Sequence, residues 1–340
     1  MDCSYNTNIK GLNISKLTSL TKLNCSSCGF NSDNFGSNFP NSLIDLDCNQ
    51  NNGITSLDLK KLTSLSVLNC ISCGFNSANF GSNLPTSLTF LNCSSNANIS
   101  DLDISKLTSL EYFNCSSCGF NSANFGSNLP TSLIELNCSQ NNGVTGLDLK
   151  KLTSLTKLNC SSCSVGSANF GSSLPTSLTY LDCSDCDFSS ANFGSSLPTS
   201  LTYLECNNNN GITSLDLKKL TSLTKLFCYS CNISSTNFGS ALPTSLIELN
   251  CSSNTNISGL DISKLTSLTY LNCSGCGLSS ANFGSNFPTS LTYLNCSSNT
   301  NISGLDISKL TSLEYLYCSN CTNLRSIIMP DYTSGNHIFY

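Results

Sequence analysis

A stacked solenoid is the fold class this 340-residue sequence predicts, and a ladder of cysteines is the first observation behind it. Fifteen of them, Cys3, Cys25, Cys48, Cys70, Cys93, Cys115, Cys138, Cys160, Cys183, Cys206, Cys228, Cys251, Cys273, Cys296 and Cys318, stand 22 or 23 residues apart. Nothing in a globular domain with one irregular core returns the same residue type to register fifteen times, whereas stacked coils do. The second observation is an alternation of two unit types, represented by residues 93–114 and 115–137, which makes the true period 45 residues. It slips once, where the unit beginning at Cys160 is followed by another of the same 23-residue kind at Cys183. The third is length. Single cores stop growing at about 250–300 residues, but a coil touches only its neighbours, so 340 residues still read as one domain.

Around each ladder cysteine runs the pattern Leu-x-x-Leu-x-Cys-x-x-Asn/Cys, as in Leu133, Leu136, Cys138 and Asn141, or Leu20, Leu23, Cys25 and Cys28. This resembles the leucine-rich repeat, with cysteine in the third leucine position, from about residue 3 to 321. The resemblance implies a leucine-rich repeat solenoid of about 15 coils, with a curved parallel β-sheet on the concave face and irregular or short helical turns on the convex face. It implies a division into a solenoid over 1–321 and a C-terminal cap and tail over 322–340. Each Leu-x-Cys stretch becomes a short strand whose side chains alternate, so Leu136 and Cys138 point in while Glu135 and Asn137 face out. Asn141 is expected to bond backbone groups of the following turn, and Cys28 to replace it as a weaker donor. The 22-residue unit, with Leu-Asp-Ile-Ser-Lys-Leu-Thr-Ser-Leu, is similar to repeats of the internalin J type. The Leu-Pro-Thr-Ser-Leu-Thr-Tyr-Leu unit is more similar to short repeats of bacterial effector proteins.

The return path of each unit carries its own signals. Asn-Phe-Gly recurs at Phe35, Phe80, Phe125, Phe170, Phe193, Phe238 and Phe283, which predicts an aromatic spine on the convex side. Pro40, Pro85, Pro130, Pro175, Pro198, Pro243 and Pro288 precede the next strand, where fixed φ and a missing N–H suit an extended turn. In the other unit Asp58, Asp103, Asp148, Asp216, Asp261 and Asp306 are placed to cap a short helical turn. A threonine row from Thr18 to Thr311, each member followed by serine, is read as a hydroxyl ladder satisfying backbone groups between coils. Regular hydroxyl rows also occur on ice-binding solenoids, but a flat Thr-x-Thr face is lacking. After Cys321 the repeat decays, and Ile327 and Ile328 are expected to cover part of the last coil. The first coil has no such cover and reads as an open edge through which copies could associate.

Three uses of 23 cysteines compete. Parallel side chains on strands about 4.8 Å apart leave Cβ separations longer than a disulfide prefers. Two Cys-x-x-Cys pairs must converge on one zinc ion, and most pairs lie on alternate coils; only the slip puts Cys160, Cys163, Cys183 and Cys186 on neighbouring ones. Core packing by buried free thiols is the preferred reading, with no metal and no cofactor. Many unpaired thiols favour a cytoplasmic or other reducing compartment. A surface location is open if the chain is a piece of a secreted protein, in which case the Asn-x-Ser sequons at Asn24 and Asn92 would matter. Fifteen Lys plus Arg against 20 Asp plus Glu give little with which to neutralise phosphates, so no nucleic-acid partner is expected. No apolar run reaches the ~18 residues of a membrane-spanning helix.

Function is sought on the outward face of the strands. Two residues before the ladder cysteine come Phe90, Tyr112, Tyr180, Tyr203, Tyr270, Tyr293 and Tyr315, with Lys22, Asp45, Glu135, Lys157, Lys225 and Glu248 on other coils. One residue before it asparagine recurs, interrupted by Asp182, Glu205, Phe227 and Tyr317. With Tyr229 this places eight of the chain's 11 tyrosines on one face. Tyrosine offers large amphipathic area at low entropy cost, although aromatics also pair across strands for purely structural reasons. The asparagines could likewise do no more than hydrogen-bond between coils. The single histidine, His337, lies in the terminal tail, and no nucleophile motif is present, so no catalytic residue is assigned. The reading is a non-enzymatic protein-binding scaffold using Tyr112, Tyr180, Tyr203, Phe227, Tyr229, Tyr270, Tyr293, Tyr315 and Tyr317; the alternative is a self-assembling structural protein without a discrete ligand.

Overall fold

The computed structural model describes residues 1–9, 11–32, 35, 39–76, 80, 84–100, 102–123, 125–166, 170–189, 193–234, 238–257, 259–282 and 287–330. They fall in two compact units, Met1–Val165 and Gly166–Tyr340. In the first, seven strands, Lys22–Asn24, Asp45–Asp47, Val67–Asn69, Phe90–Asn92, Tyr112–Asn114, Glu135–Asn137 and Lys157–Asn159, pair in parallel in chain order. The second unit repeats this with Tyr180–Asp182, Tyr203–Glu205, Lys225–Phe227, Glu248–Asn250, Tyr270–Asn272, Tyr293–Asn295 and Tyr315–Tyr317. The chain makes about 13 turns of parallel β-solenoid, with almost no helix among the described residues.

Register is one residue to one: Leu136 faces Leu158, and Leu204 faces Leu226. The central residue of each strand is buried and its two neighbours are more exposed, as a period of two requires. Each buried leucine contributes roughly 2 kcal/mol of transfer free energy. The cysteine that follows the strand is also inside. All 23 thiols are free, and only Cys3 and Cys318 are partly exposed. Burial pushes the Cys70, Cys115 and Cys228 thiols well above the ordinary thiol value, so they are protonated packing groups and not nucleophiles.

The turn after the strand explains the 45-residue period. Asn141 Nδ2 donates to the Cys138 and Ser139 carbonyls of its own coil at 2.8 and 3.1 Å, and to the Cys115 carbonyl of the preceding coil at 3.0 Å. Its Oδ1 accepts from the N–H groups of Cys118 and Phe120, at 3.0 and 3.1 Å. One carboxamide thus braces two coils. Asn51, Asn96, Asn209, Asn254 and Asn299 repeat the arrangement. The coil between two such asparagines already has its turn N–H groups satisfied, so a thiol suffices there: Cys118 Sγ donates to the Cys93 carbonyl at 3.2 Å. The weaker-donor role expected of Cys28 is the one observed, toward the Cys3 carbonyl at 3.0 Å.

The return path departs from expectation in four places. Among the described residues no continuous phenylalanine spine forms, because Asn-Phe-Gly mostly returns only every second coil, roughly 10 Å away. The rings pair instead with the phenylalanine five residues earlier, Phe30 with Phe35 and Phe75 with Phe80, at 4.9 and 4.4 Å between centroids. Phe283 lies outside the described residues. The aspartates cap no helix; Asp103 and Asp306 Oδ1 accept from the N–H two residues on, at 2.9 and 3.0 Å, closing Asx turns. An inter-coil hydroxyl ladder runs through serines of the proline-containing units, as in Ser132 Oγ to the Leu110 carbonyl at 2.6 Å and Ser290 Oγ to Leu268 at 2.7 Å. The threonines themselves, such as Thr131 and Thr289, are exposed. Finally, Ser326–Ile328 forms a parallel strand beside Gly304–Asp306, leaving Ile328 55% exposed. His337 lies outside the described residues. No described helix is long and apolar enough to cross a membrane.

Candidate functional site

One-to-one register makes every outward residue meet the same position on the next strand, so the outer row resolves into pairs. In the first unit Lys22 Nζ lies 3.4 Å from Asp45 Oδ2, then the Phe90 and Tyr112 rings stack at 4.2 Å, then Lys157 Nζ lies 3.2 Å from Glu135 Oε2. The second unit begins with the Tyr180 and Tyr203 rings stacked at 4.3 Å. An ion pair follows at 2.7 Å between Lys225 Nζ and Glu248 Oε1, and then Tyr270 stacks on Tyr293 at 4.4 Å. Ion pairs and aromatic pairs alternate. The exposed ion pairs are worth at most about 1 kcal/mol each; the stacked rings match the strand spacing and add about 0.5–1.5 kcal/mol beyond the area they bury.

Two aromatic groups grow larger through the inner row. Phe227 comes within 5.5 Å of Tyr203, and Tyr317 and Tyr315 lie 5.4 and 6.2 Å from Tyr293. The sequence-predicted tyrosines are therefore brought together as Tyr112 with Phe90, Tyr180 and Tyr203 with Phe227, and Tyr270 and Tyr293 with Tyr315 and Tyr317. Tyr229 follows the strand and donates its N–H to Asn207 Oδ1 at 3.0 Å. Its hydroxyl pKa is raised by burial and by the nearby Glu205, Asp185 and Asp182 carboxylates.

The asparagine row serves mainly its own turns. Asn114, Asn137 and Asn272 Oδ1 each accept the N–H of the serine two residues on, at 3.0 to 3.1 Å, a local role in place of the ladder between coils that the sequence left open. Asn69 Nδ2, reaching Asp47 Oδ2 at 3.3 Å, does cross to a neighbouring coil. In the second unit two acids replace the asparagines on consecutive strands, and register sets Asp182 opposite Glu205. Tyr203 donates its hydroxyl to Glu205 Oε2, and Asn207 Nδ2 donates to Glu205 Oε1, both at 2.7 Å. Burial pushes both carboxyls up, helped at Glu205 by the Asp182 charge and at Asp182 by Asp185.

Sequence reasoning missed three residues on this face. Ile44, Ile134 and Ile247 precede their strands and are 41, 42 and 39% exposed. Each stands directly before the acidic member of an ion pair, and the recurring Ser-Leu-Ile-Asp/Glu-Leu at 42, 132 and 245 is the signal that could have found them. Among the described residues no group of three or more His, Cys, Asp or Glu is arranged to hold a metal. Of the thiols weighed for zinc, Cys163 Sγ donates to the Cys138 carbonyl and Cys186 Sγ to that of Ser184, at 3.2 and 3.4 Å.

Comparison with known proteins agrees with this architecture. A model of the leucine-rich repeat family, in two copies, matches residues 289–332. The functional domain of InlJ from Listeria monocytogenes, described as including a cysteine ladder, is similar at TM-score 0.71 and 28% identity over 89% of this chain, which spans 64% of the InlJ chain. Two further structures share the fold alone. They are the internalin InlF of Listeria monocytogenes (TM-score 0.65, 22% identity, 95% of this chain and 90% of that one) and the leucine-rich repeat protein LIC12759 of Leptospira interrogans (0.51, 20%, 97% and 83%). No curated protein matches the sequence. Leucine-rich repeat solenoids are commonly protein-binding scaffolds. The chain is thus a parallel β-solenoid with a ladder of buried cysteines, similar in that respect to the InlJ domain, and its residues 289–332 match the leucine-rich repeat family.

Proposed function

We propose that the chain is a non-enzymatic scaffold that binds a protein partner through the outward, Tyr/Asn-rich face of its ladder strands, over a solenoid that runs from 1 to 321 with 322–340 as cap and tail. The observation that carries this reading is the pairing of the outer row. Charged residues there are matched by an opposite charge on the neighbouring strand, while the aromatic pairs present half-exposed edges and hydroxyls. Tyrosines held rigid by stacking lose little further entropy on binding and concentrate interface energy. The exposed Ile44, Ile134 and Ile247 add apolar area on the same side of their strands. An interface of about 800 Å² per partner spans several coils, so the two tyrosine groups of the second unit, about Tyr203 and Tyr293, suit one partner.

The test begins with a partner captured on the immobilised chain and identified by mass spectrometry. Tyr270→Ala plus Tyr293→Ala is expected to weaken that partner at least tenfold while circular dichroism stays unchanged, and Leu17→Ala, an exposed site outside the strands, is expected to leave affinity intact. Unchanged affinity in the tyrosine variant would refute the assignment.

A further inference from the structure

We infer that the partner is basic where it meets the second unit: the face formed by Tyr180, Tyr203, Phe227 and Tyr229 around Asp182 and Glu205 receives an arginine- or lysine-bearing segment of a protein. This rests on the protein-binding reading above and names the chemistry of the partner. Three independent observations carry it. First, in the outer row the charges that face each other across strands are of opposite sign, whereas Asp182 and Glu205 face each other with the same sign. Like charges directly opposite destabilise a sheet, and a cation placed between them removes that cost. Second, an asparagine row can donate and accept, but two carboxylates only accept. The substitution turns a self-satisfying stretch into an acceptor site, with Glu205 already oriented by Tyr203 and Asn207. Third, Ser184 is buried, at 7% residue exposure, and donates its N–H to Asp182 Oδ1 at 3.1 Å, which holds this carboxylate in place beside the strand.

The aromatic walls decide which ligand fits. Tyr180 and Tyr203 turn their ring faces to each other, 15° from parallel, so the flat faces a sugar ring would stack on are largely closed. What remains outward are ring edges, hydroxyl oxygens and carboxylate oxygens, an acceptor-rich rim in a half-buried setting where charge-assisted bonds are strong. The planar guanidinium, with five donors in a fixed fork, matches such a rim best; an ammonium matches it as a point charge. Partial burial raises both carboxyls, and a bound cation offsets that burial cost by favouring their charged form.

The experiment titrates fluorescein-labelled nona-arginine against the full chain at neutral pH, with nona-glutamate and cellohexaose as probes of the other chemistries. Asp182→Asn plus Glu205→Gln restores the amide row and is expected to fold, checked by circular dichroism, while weakening nona-arginine at least tenfold. Asp103→Asn plus Asp261→Asn removes the same charge from two exposed Asx turns that asparagine also closes; it is expected to change the affinity less than twofold. An equal loss in both variants would show attraction to net charge alone and overturn the inference. So would no loss in the first variant, no binding of nona-arginine, or binding of cellohexaose in its place. If the captured partner still depends on Tyr270 and Tyr293 while nona-arginine ignores Asp182 and Glu205, the protein-binding reading stands and this inference falls. If the partner ignores both pairs, both readings fall.

Discussion

Asn209 and Tyr203 lie six residues apart in one coil and illustrate two kinds of constraint. Asn209 is fully buried and holds the carbonyls of Cys183 and Cys206 and the N–H groups of Cys186 and Phe188, so it serves two coils at once. Tyr203 stands in the outer row, half-buried, stacked on Tyr180 and bonded to Glu205. The inner position recurs at a fixed period because any other side chain leaves several backbone groups unsatisfied. The outer position varies among lysine, acid, valine and aromatics because each choice must agree only with its neighbour on the next strand. Fold is therefore fixed inside, and the outer row is free to vary.

The largest expected effect breaks the inner side. Asn141→Ala deprives buried donors and acceptors in two coils, at about 1–3 kcal/mol each before relaxation, and should cost roughly 3–5 kcal/mol in denaturant unfolding. Hydrogen exchange should locate the damage in both coils, at the amides of Cys118 and Phe120 as well as around residue 138. Cys118→Ala removes a weak donor and a small volume, and about 1–2 kcal/mol is expected in the same assay. This ratio sharpens the claim that asparagine does the bracing and the alternate cysteine mainly fills space. On the outer side Lys225→Ala should cost less than about 1 kcal/mol, since its partner Glu248 remains solvated. Thiol labelling should follow the same division: native chain reacts first at the partly exposed Cys3 and Cys318, and the buried ladder reacts only on unfolding.

The smallest effect is a pH dependence. In the folded chain Asp182 and Glu205 titrate above their ordinary values of 3.8 and 4.5, through burial first, with the Asp185 charge adding at Asp182 and the Asp182 charge adding at Glu205. The folded state then binds protons more tightly than the unfolded one. Their contribution to stability is lost as pH rises above those ordinary values and through the raised folded ones. Asp182→Asn plus Glu205→Gln should flatten this part of the profile and unfold slightly later than the parent at neutral pH; a steeper fall in the variant would contradict the assignment.

How much of this could be read beforehand follows the same inner and outer division. Cysteine spacing and Leu-x-x-Leu-x-Cys disclosed the coils and their parallel strands because a repeat samples one environment many times. The asparagine after each strand was legible as a turn residue, but its reach into the preceding coil was not, since a side chain's second partner leaves no mark in its own unit. Phe35 and Phe80 misled for a related reason: their period was visible, while the two-coil gap between rings was a matter of distance. Thr131 was chosen over Ser132 because both recur together, and only geometry separates the one that bonds from the one that faces water. The tyrosine row was found, yet its sorting into stacked pairs, and the meeting of Asp182 with Glu205, depended on register.

The most direct test of separable fold and display places Asn209→Ala beside Tyr203→Ala in guanidinium unfolding. The account predicts a loss of roughly 3–5 kcal/mol for the first and about 1–1.5 kcal/mol for the second. Equal losses, or a larger one for Tyr203→Ala, would mean that the outer row holds the coils together and would contradict the account.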